Sequence, residues 1–250
     1  MPQPADERHP DPPTATGLLS LRRVRWGWVV GGAALSMAVG MLYARVIRSL
    51  GNWEDGLHWE RELMLGMARR LPPLLDRIFL TIPWAGTNLT VMPVIVLFVL
   101  WLAVRRKRLD LAAHLLTVAV GSLIFNAVLK DVYDRPRPSL WEKRGQFAWA
   151  SFPSGHAIVT ISVIFTVAVV LHREKGWRWP YAAATLLLLI SFYSRLYLGV
   201  HWPTDIIGGA LVGAVWLVTT LIAFAPGIPS ERRARRDRRD ELEGLPENGA

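Results

Sequence analysis

Long apolar segments constrain this chain more than any other feature of its sequence. Six of them can be counted, and each approaches the roughly 17 to 25 residues that a helix needs to cross the core of a bilayer. The sequence therefore predicts an all-α fold, a bundle of six transmembrane helices. Because the fourth and fifth segments are short, their helices are expected to extend into the polar motifs beside them. The predicted spans lie at about 26–44, 89–104, 111–128, 157–171, 179–193 and 206–224.

The composition supports a membrane protein. Of the 250 residues, 52% are hydrophobic and 20% are charged, which is too apolar for an ordinary soluble domain of this length. The net charge of +9 would suit nucleic acid, but the Lys and Arg residues cluster between apolar segments and near the C-terminus. That pattern is typical of membrane topology signals, so no nucleic-acid partner is expected. The absence of cysteine excludes disulfides, thiolate chemistry and cysteine-ligated metals.

Three regions are predicted along the chain. Residues 1–25 are rich in Pro, Asp, Glu and Thr and lack periodicity, which predicts a disordered cytoplasmic tail. Residues 26–226 form the six-span domain, and its first apolar segment is expected to be a retained anchor because it is longer than a typical signal sequence. Residues 227–250 include an arginine cluster and are predicted to be a basic cytoplasmic tail that can touch anionic lipid.

An amphipathic helix is predicted between spans one and two. Apolar residues recur there at helical spacing among charged ones, which favours a helix lying in the membrane interface. Pro72 and Pro73 would end it. Plain interfacial packing is the simpler interpretation, and a lid over a lipid entrance is the functional alternative. The apolar residues are Trp59, Leu63, Met64, Met67 and Leu71, and the charged ones are Glu60, Glu62, Arg69 and Arg70.

Basic short loops predict how the helices cross the membrane. With a cytoplasmic N-terminus, the loops around 105–108 and 173–178 are both cytoplasmic and both basic, as the positive-inside rule requires. The long first loop, on the other side, also contains arginines, but acidic residues balance them. Helix parity then places residues 129–156 and 194–205 together on the outer face. These two segments hold nearly all the polar residues that need a chemical explanation.

The first polar motif follows span three and reads KDVYDRPRP, from Lys130 to Pro138. Its three cations, Lys130, Arg135 and Arg137, suggest an anion site at the membrane surface. Interfacial Lys and Arg side chains commonly extend toward the headgroups, so a basic lipid-facing turn is the favoured interpretation of this motif when it is taken alone.

The second motif, Pro153-Ser154-Gly155-His156, opens span four. Ser154 suits an N-cap, and the free backbone N–H groups beside Gly155 would make the helix start a phosphate receptor. His156 would lie beside that phosphate, where an imidazole can hold a proton for a leaving group. An ordinary serine cap with an interfacial histidine is the alternative.

The third motif runs from Ser194 to Asp205, between spans five and six. Pro203 suits the first turn of the last helix, which places His201 just before that turn and Asp205 within it. A carboxylate there can hold one imidazole nitrogen as N–H and present the other as a neutral nucleophile. Arg195 adds a guanidinium fork for phosphate oxygens. The helix dipole alone would also explain Asp205, but not the arrival of His201 and Arg195 on the same side.

Together these residues resemble the type 2 phosphatidic acid phosphatase superfamily, which shares its helical core with bacterial acid phosphatases and vanadium haloperoxidases. The signature of that superfamily is K-x6-R-P, then P-S-G-H, then S-R-x5-H-x3-D. The three motifs match every position and spacing of it, from Lys130 through His156 to Asp205. The resemblance covers spans three to six by motif and spans one and two by layout.

The resemblance implies a role for each matching residue. His201 would attack phosphorus, His156 would protonate the leaving group, and Asp205 would orient His201. No metal or other cofactor is needed. Arg135 is an extra cation that would at most help to hold substrate, because the motif spacing selects Arg137. The residues that would bind the phosphate are Lys130, Arg137, Ser154, Gly155 and Arg195.

The expected activity is hydrolysis of a lipid phosphomonoester or diphosphate through a phosphohistidine, in a bacterial inner membrane with the site on the extracytoplasmic face. The partners would be a lipid phosphate and membrane lipids. Phosphatidic acid, phosphatidylglycerol phosphate, undecaprenyl diphosphate and phosphorylated lipid A are all compatible substrates. A lipid phosphotransferase would carry the same motifs; a vanadate haloperoxidase and a six-span transporter are less favoured. The sequence makes no prediction of oligomeric state.

Two further polar residues lie inside predicted span three. His114 is intramembrane and therefore a functional candidate, but its distance from the outer motifs favours a packed, neutral imidazole. Asn126 lies one turn before Lys130 and could brace it, although structural packing is the simpler role.

Overall fold

A computed structural model of the chain describes residues 24–70, 88–141 and 150–225. Every regular element within these ranges is helical, which confirms the all-α prediction. Five residues inside α5, Thr160–Ile164, are π-helical, and a π-helical turn, Trp101–Arg105, follows α3. The helices are α1 (Trp26–Ser49), α2 (His58–Arg70), α3 (Asn88–Leu100), α4 (Leu109–Tyr133), α5 (Gly155–Lys175), α6 (Trp179–Tyr197) and α7 (Pro203–Ala223).

Each of the six predicted apolar segments falls on a helix. Four of these helices, α1, α4, α5 and α7, are long and apolar enough to cross a membrane, and α3 with its π-helical turn contributes a shorter apolar stretch, Met92–Arg105. The predicted extension of the short segments into polar motifs is confirmed, because α5 begins at Gly155 and α6 continues to Tyr197. The predictions for the two tails, and for the prolines after α2, lie outside the described residues.

Helix α7 lies at the centre of the bundle and packs against α1, α4 and α5. Glycine allows one of these approaches to be very close. A Cβ atom on Gly209 would lie 2.5 Å from the carbonyl oxygen of Ser154, and one on Gly213 would lie 2.9 Å from that of Ile158. Small residues four apart on one helix let two backbones meet in this way. The first turns of α5 are therefore held directly against the first half of α7.

Helices α4 and α7 are joined by a tryptophan. The indole N–H of Trp216 donates to the carbonyl oxygen of Val118 over 3.0 Å, and its ring meets Phe125 edge to face at 5.2 Å. Gly121 leaves room for this ring, since a Cβ there would lie 2.5 Å from it. A buried indole with its donor satisfied contributes both apolar area and a fixed orientation. The contact fixes how α4 and α7 lie against each other.

Helix α2 is the predicted amphipathic helix. Met64 is fully buried, whereas Trp59 and Leu63 are 46% and 45% exposed, so part of its apolar surface faces outward. Glu60, one of the charged residues between the apolar ones, is fully buried. An unpaired buried carboxylate is strongly disfavoured. Its burial is explained by partners on other elements, described with the site.

The close contact between α5 and α7 leads to a prediction. We expect Gly209→Ala to lower the thermal unfolding midpoint, because overpacking a tight contact costs roughly 1–3 kcal/mol and the atom it meets is backbone. Circular dichroism of the detergent-solubilised protein measures the midpoint. Gly31→Ala on α1 is the matched control, since a Cβ there meets nothing within 4 Å. Equal midpoints for the two variants would contradict the packing argument.

Candidate active site

The three polar motifs meet at one end of the helical bundle, where α4 and α6 end and α5 and α7 begin. The backbone N–H of Ser151 donates to the carbonyl oxygen of Arg135 over 2.7 Å, which joins the first two motif regions. The backbone N–H of Ser154 donates to the carbonyl oxygen of Asp205 over 3.0 Å, which joins the second and third motifs. Nη1 of Arg137 donates to the carbonyl oxygen of Val200 over 2.6 Å, which joins the first and third. Segments distant in sequence therefore form one site.

Asp205 is fully buried in the first turn of α7 and is held by three donors. Its Oδ1 accepts from Nη1 of Arg135 over 2.7 Å. Its Oδ2 accepts from the backbone N–H of Trp202 over 2.8 Å and from the hydroxyl of Ser151. Pro203 occupies the first turn as predicted. Both carboxylate oxygens are thus fixed by groups from three different segments.

His201 lies just before α7, with 4% of its surface exposed. Its Nδ1 is 3.7 Å from Oδ2 of Asp205, which is longer than a hydrogen bond. Burial lowers the pKa of His201 to about 3, the Asp205 carboxylate opposes this shift, and the charges of Arg137 and Lys130 add to it. The imidazole is therefore neutral near pH 7, the state in which a ring nitrogen can act as a nucleophile.

A tight turn positions His201. Helix α6 ends at Tyr197, and the chain then passes through Gly199 in the left-handed region, with φ of +64°. Only glycine adopts this conformation at low cost, and a Cβ there would also lie 2.8 Å from the Trp141 ring. The N–H of Val200 donates back to the carbonyl oxygen of Arg195 over 3.2 Å. The turn thus sets the separation between Arg195 and His201.

Ser154 and His156 lie at the start of α5. Ser154 has the N-cap position that was predicted, with extended backbone, but its hydroxyl makes no capping hydrogen bond. Neither that hydroxyl nor Nε2 of His156 has a hydrogen-bond partner among the described residues, although both are buried. Buried polar atoms are normally paired. These two atoms, together with the backbone N–H groups at the start of the helix, are positioned to bind an anion.

The three cations predicted to bind phosphate, Lys130, Arg137 and Arg195, lie near the start of α5. Nζ of Lys130 donates to the carbonyl oxygen of Ala150, and the buried guanidinium of Arg195 lies 3.3 and 3.4 Å from the hydroxyl oxygen of Ser194. Burial also lowers the pKa of Arg137 from its ordinary value, and Asp205 opposes this. Lys130, Arg137 and Arg195 all interact electrostatically with His156.

All the predicted site residues lie at this end of the bundle. The one glycine among them, Gly155, is at a position where packing leaves no room for a side chain. A Cβ on Gly155 would lie 2.8 Å from Oδ1 of Asn126. Asn126 therefore packs against the start of α5, in agreement with the structural role expected for it. The residues brought together are Lys130, Arg137, Ser154, Gly155, His156, Arg195, His201 and Asp205.

Arg135, the extra cation of the first motif, is bound by protein groups. Its guanidinium is fully buried and donates to Asp205, to Oε2 of Glu60 over 3.2 Å and to the hydroxyl of Thr204 over 2.7 Å. Glu60 was missed altogether as a site residue. The alternating charges of α2 gave no signal to separate it from its neighbours, because its partners are distant in sequence.

His114 lies fully buried near the other end of α4. Its ring stacks on Phe224 with centroids 4.6 Å apart, and neither ring nitrogen has a partner among the described residues. This is the packed imidazole that the sequence favoured. Across residues 24–70, 88–141 and 150–225, no group of three or more His, Asp or Glu side chains is placed to hold a metal ion.

Fold and site together define a multi-pass helical membrane protein with a buried histidine and cation site. The pattern of the PAP2 superfamily matches residues 110–226. Phosphatidylglycerophosphatase B of Bacillus subtilis is 30% identical over 146 residues, which cover 56% of this chain and 71% of that protein. Lipid A 4'-phosphatase of Porphyromonas gingivalis is 31% identical over 173 residues, 64% and 70% of the two chains.

A solved structure has the same fold. The crystal structure of a transmembrane PAP2 type phosphatidylglycerolphosphate phosphatase from Bacillus subtilis superimposes with a TM-score of 0.65 at 24% identity. The match covers 75% of this chain and 93% of that one. The chain belongs to the PAP2 superfamily.

Proposed function

We propose that the protein is a lipid phosphate phosphatase that hydrolyses a lipid phosphomonoester or diphosphate through a phosphohistidine intermediate. The observation that carries this proposal is the pair His156 and His201. Nε2 of His156 and the ring of His201 are buried beside three cations, and His201 has the Asp205 carboxylate behind it at 3.7 Å. The names of the two curated relatives, a phosphatidylglycerophosphatase and a lipid A phosphatase, support a lipid phosphate as the substrate.

His201 supplies the nucleophile. Its Nδ1 faces Asp205, so Nε2 is the nitrogen left to attack phosphorus. The N–P bond forms as the P–O bond to the lipid breaks, and His156 gives its proton to the departing oxygen. Asp205 stabilises the positive charge that develops on the His201 ring. A water then attacks phosphorus, His156 takes its proton, and the N–P bond breaks to release inorganic phosphate and neutral His201.

Fixed positive charge replaces a metal in this proposal. Lys130, Arg137 and Arg195 would bind the three equatorial oxygens of the transferring phosphoryl group, together with the backbone N–H groups at the start of α5. Phosphoryl transfer depends mainly on positioning and on stabilising this charge. The hydroxyl of Ser154, unpaired among the described residues, would donate to one of these oxygens.

The topology we propose has six spans, with α3 and α6 crossing in addition to the four longer apolar helices. The 19 residues of α6 would extend roughly 28 Å at 1.5 Å per residue, close to the thickness of a bilayer core. Helix α2 would lie in the interface with Trp59 and Leu63 toward lipid. The basic short loops support an orientation with the site on the extracytoplasmic face, and the membrane we propose is a bacterial inner membrane.

Phosphate release by the purified protein tests the function. We expect release from at least one of phosphatidic acid, phosphatidylglycerol phosphate, undecaprenyl diphosphate and phosphorylated lipid A. The rate should be unchanged in EDTA and should fall with orthovanadate, which mimics the transferring group. Activity lost in EDTA and restored by Mg²⁺ would contradict metal independence. Transfer of label to a second lipid without release of phosphate would identify a phosphotransferase instead.

Substrates with different leaving groups should distinguish the roles of the two histidines. His201→Ala should form no phosphoenzyme with any substrate, because it lacks the nucleophile. His156→Ala should regain part of its rate on an activated aryl phosphate, whose leaving group departs without a proton. The activity of Asp205→Asn should lie between those of the two histidine variants. Its His201 ring keeps the nucleophilic nitrogen but loses the carboxylate that stabilises its positive charge.

For the histidine variants, the measurement is the amount of acid-labile, base-stable phosphate bound to the protein after rapid quench. His58→Ala, an exposed histidine on α2, is the matched control and should behave as wild type. If His201→Ala still forms the adduct while His156→Ala cannot, the two roles are exchanged.

Single cysteines test the orientation without background, because the chain has none. Ser139→Cys, at an exposed position after α4, should react with an impermeant maleimide on intact cells. Lys175→Cys, exposed at the end of α5, should react only after permeabilisation. The opposite labelling pattern would place the active site in the cytoplasm.

A further inference from the structure

A chain of buried ion pairs joins α2 to the carboxylate behind His201. Arg135 lies in the middle of it: Nη1 donates to Oδ1 of Asp205 over 2.7 Å, and Nη2 donates to Oε2 of Glu60 over 3.2 Å. All three side chains are completely buried. The polar motifs of the sequence do not include Glu60, and the mechanism proposed above assigns nothing to either Glu60 or Arg135.

The guanidinium of Arg135 is fixed on every side by protein. Its Nε donates to the carbonyl oxygen of Trp53 over 2.9 Å, and Nη1 also donates to Thr204. The rings of Trp53 and Trp202 lie 4.6 and 5.5 Å from it. A rigid guanidinium fork held in this way fixes the direction of each bond it donates. Its orientation therefore fixes the position of Oδ1 of Asp205, while Ser151 and the backbone of Trp202 hold Oδ2.

Glu60 acts on the same carboxylate by a second route. Its Oε1 accepts from the backbone N–H of Thr204 over 2.9 Å and from the Thr204 hydroxyl over 2.6 Å. Thr204 immediately precedes Asp205 in the first turn of α7. Glu60 thus holds both the arginine that binds Asp205 and the backbone from which Asp205 projects. Through Oε2 it also accepts from the N–H of Leu57, at the start of its own helix.

Stability alone does not account for such a chain. Desolvation offsets most of the attraction in a buried ion pair, and apolar side chains of similar volume often stabilise a fold as well or better. The ion pairs do supply a fixed negative charge, 3.7 Å from Nδ1 of His201. We propose that Glu60 and Arg135 are positioning residues for the phosphoryl transfer described above, so that docking of α2 is needed to activate His201. This inference rests on the proposed function.

Steady-state and rapid-quench kinetics of Glu60→Gln and Arg135→Lys test this inference. We expect kcat and the rate of phosphoenzyme formation to fall about 10- to 100-fold, as small displacements of catalytic groups do. KM and the inhibition constant of inorganic phosphate should stay within about threefold, because the groups that bind phosphate are untouched. Arg135→Lys keeps the charge but loses the fork, so it should retain more activity than Arg135→Gln.

Glu62→Gln is the matched control, because Glu62 is an exposed carboxylate on the same helix. It should keep wild-type kcat. Wild-type kcat in both Glu60→Gln and Arg135→Lys would overturn the inference. So would a loss of activity explained entirely by a smaller folded fraction, measured by thermal unfolding of each variant in detergent. If Glu60→Gln does not fold, the test is the comparison of Arg135→Lys with Arg135→Gln. Higher kcat in Arg135→Lys supports the inference, and equal kcat in the two variants overturns it.

Failure of the inference is distinguishable from failure of the proposed function. A wild-type protein that releases phosphate while the variants match it overturns only the positioning role. A wild-type protein that releases no phosphate from the four lipids or from an aryl phosphate overturns the function and, with it, the inference.

Discussion

The buried carboxylate of Asp205 holds the site together. It accepts hydrogen bonds from Arg135 after α4, from Ser151 before α5 and from the backbone of Trp202 before α7. A carboxylate inside a protein needs such partners, because losing one leaves an uncompensated charge at a cost of several kcal/mol. The loops that carry the three polar motifs are therefore held to one another at a single side chain, and His201 lies against it.

Close backbone packing extends this arrangement into the helices. Gly209 and Gly213 let the first turns of α5 lie directly against α7, and the N–H of Ser154 donates to the carbonyl oxygen of Asp205. A larger residue at either glycine would separate the helices and widen the distance between their first turns. Because His156 is in the first turn of α5 and His201 precedes α7, the packing of these two helices determines how far apart the histidines lie.

Much of the site was predictable because its chemistry is carried by short motifs. The positions of Lys130, His156 and Asp205 at helix ends follow from the apolar segments beside them, and helix parity places those ends on one side. Glu60 was not predictable, because a charged residue on an amphipathic helix is normally solvated. Motif spacing selected Arg137 over Arg135, but it could not predict that Arg135 would be paired with Asp205 and Glu60, which are distant in sequence.

The sequence by itself determined that the chain is an all-helical membrane protein of the PAP2 superfamily, because apolar length and motif spacing are local properties of the sequence. Tertiary structure alone decided which charges are paired. It placed Glu60 and Arg135 behind Asp205 and left His201 3.7 Å from that carboxylate instead of bonded to it. The physical reason is that burial and pairing depend on which distant segments come into contact, and each such contact offsets a desolvation cost that the local sequence does not contain.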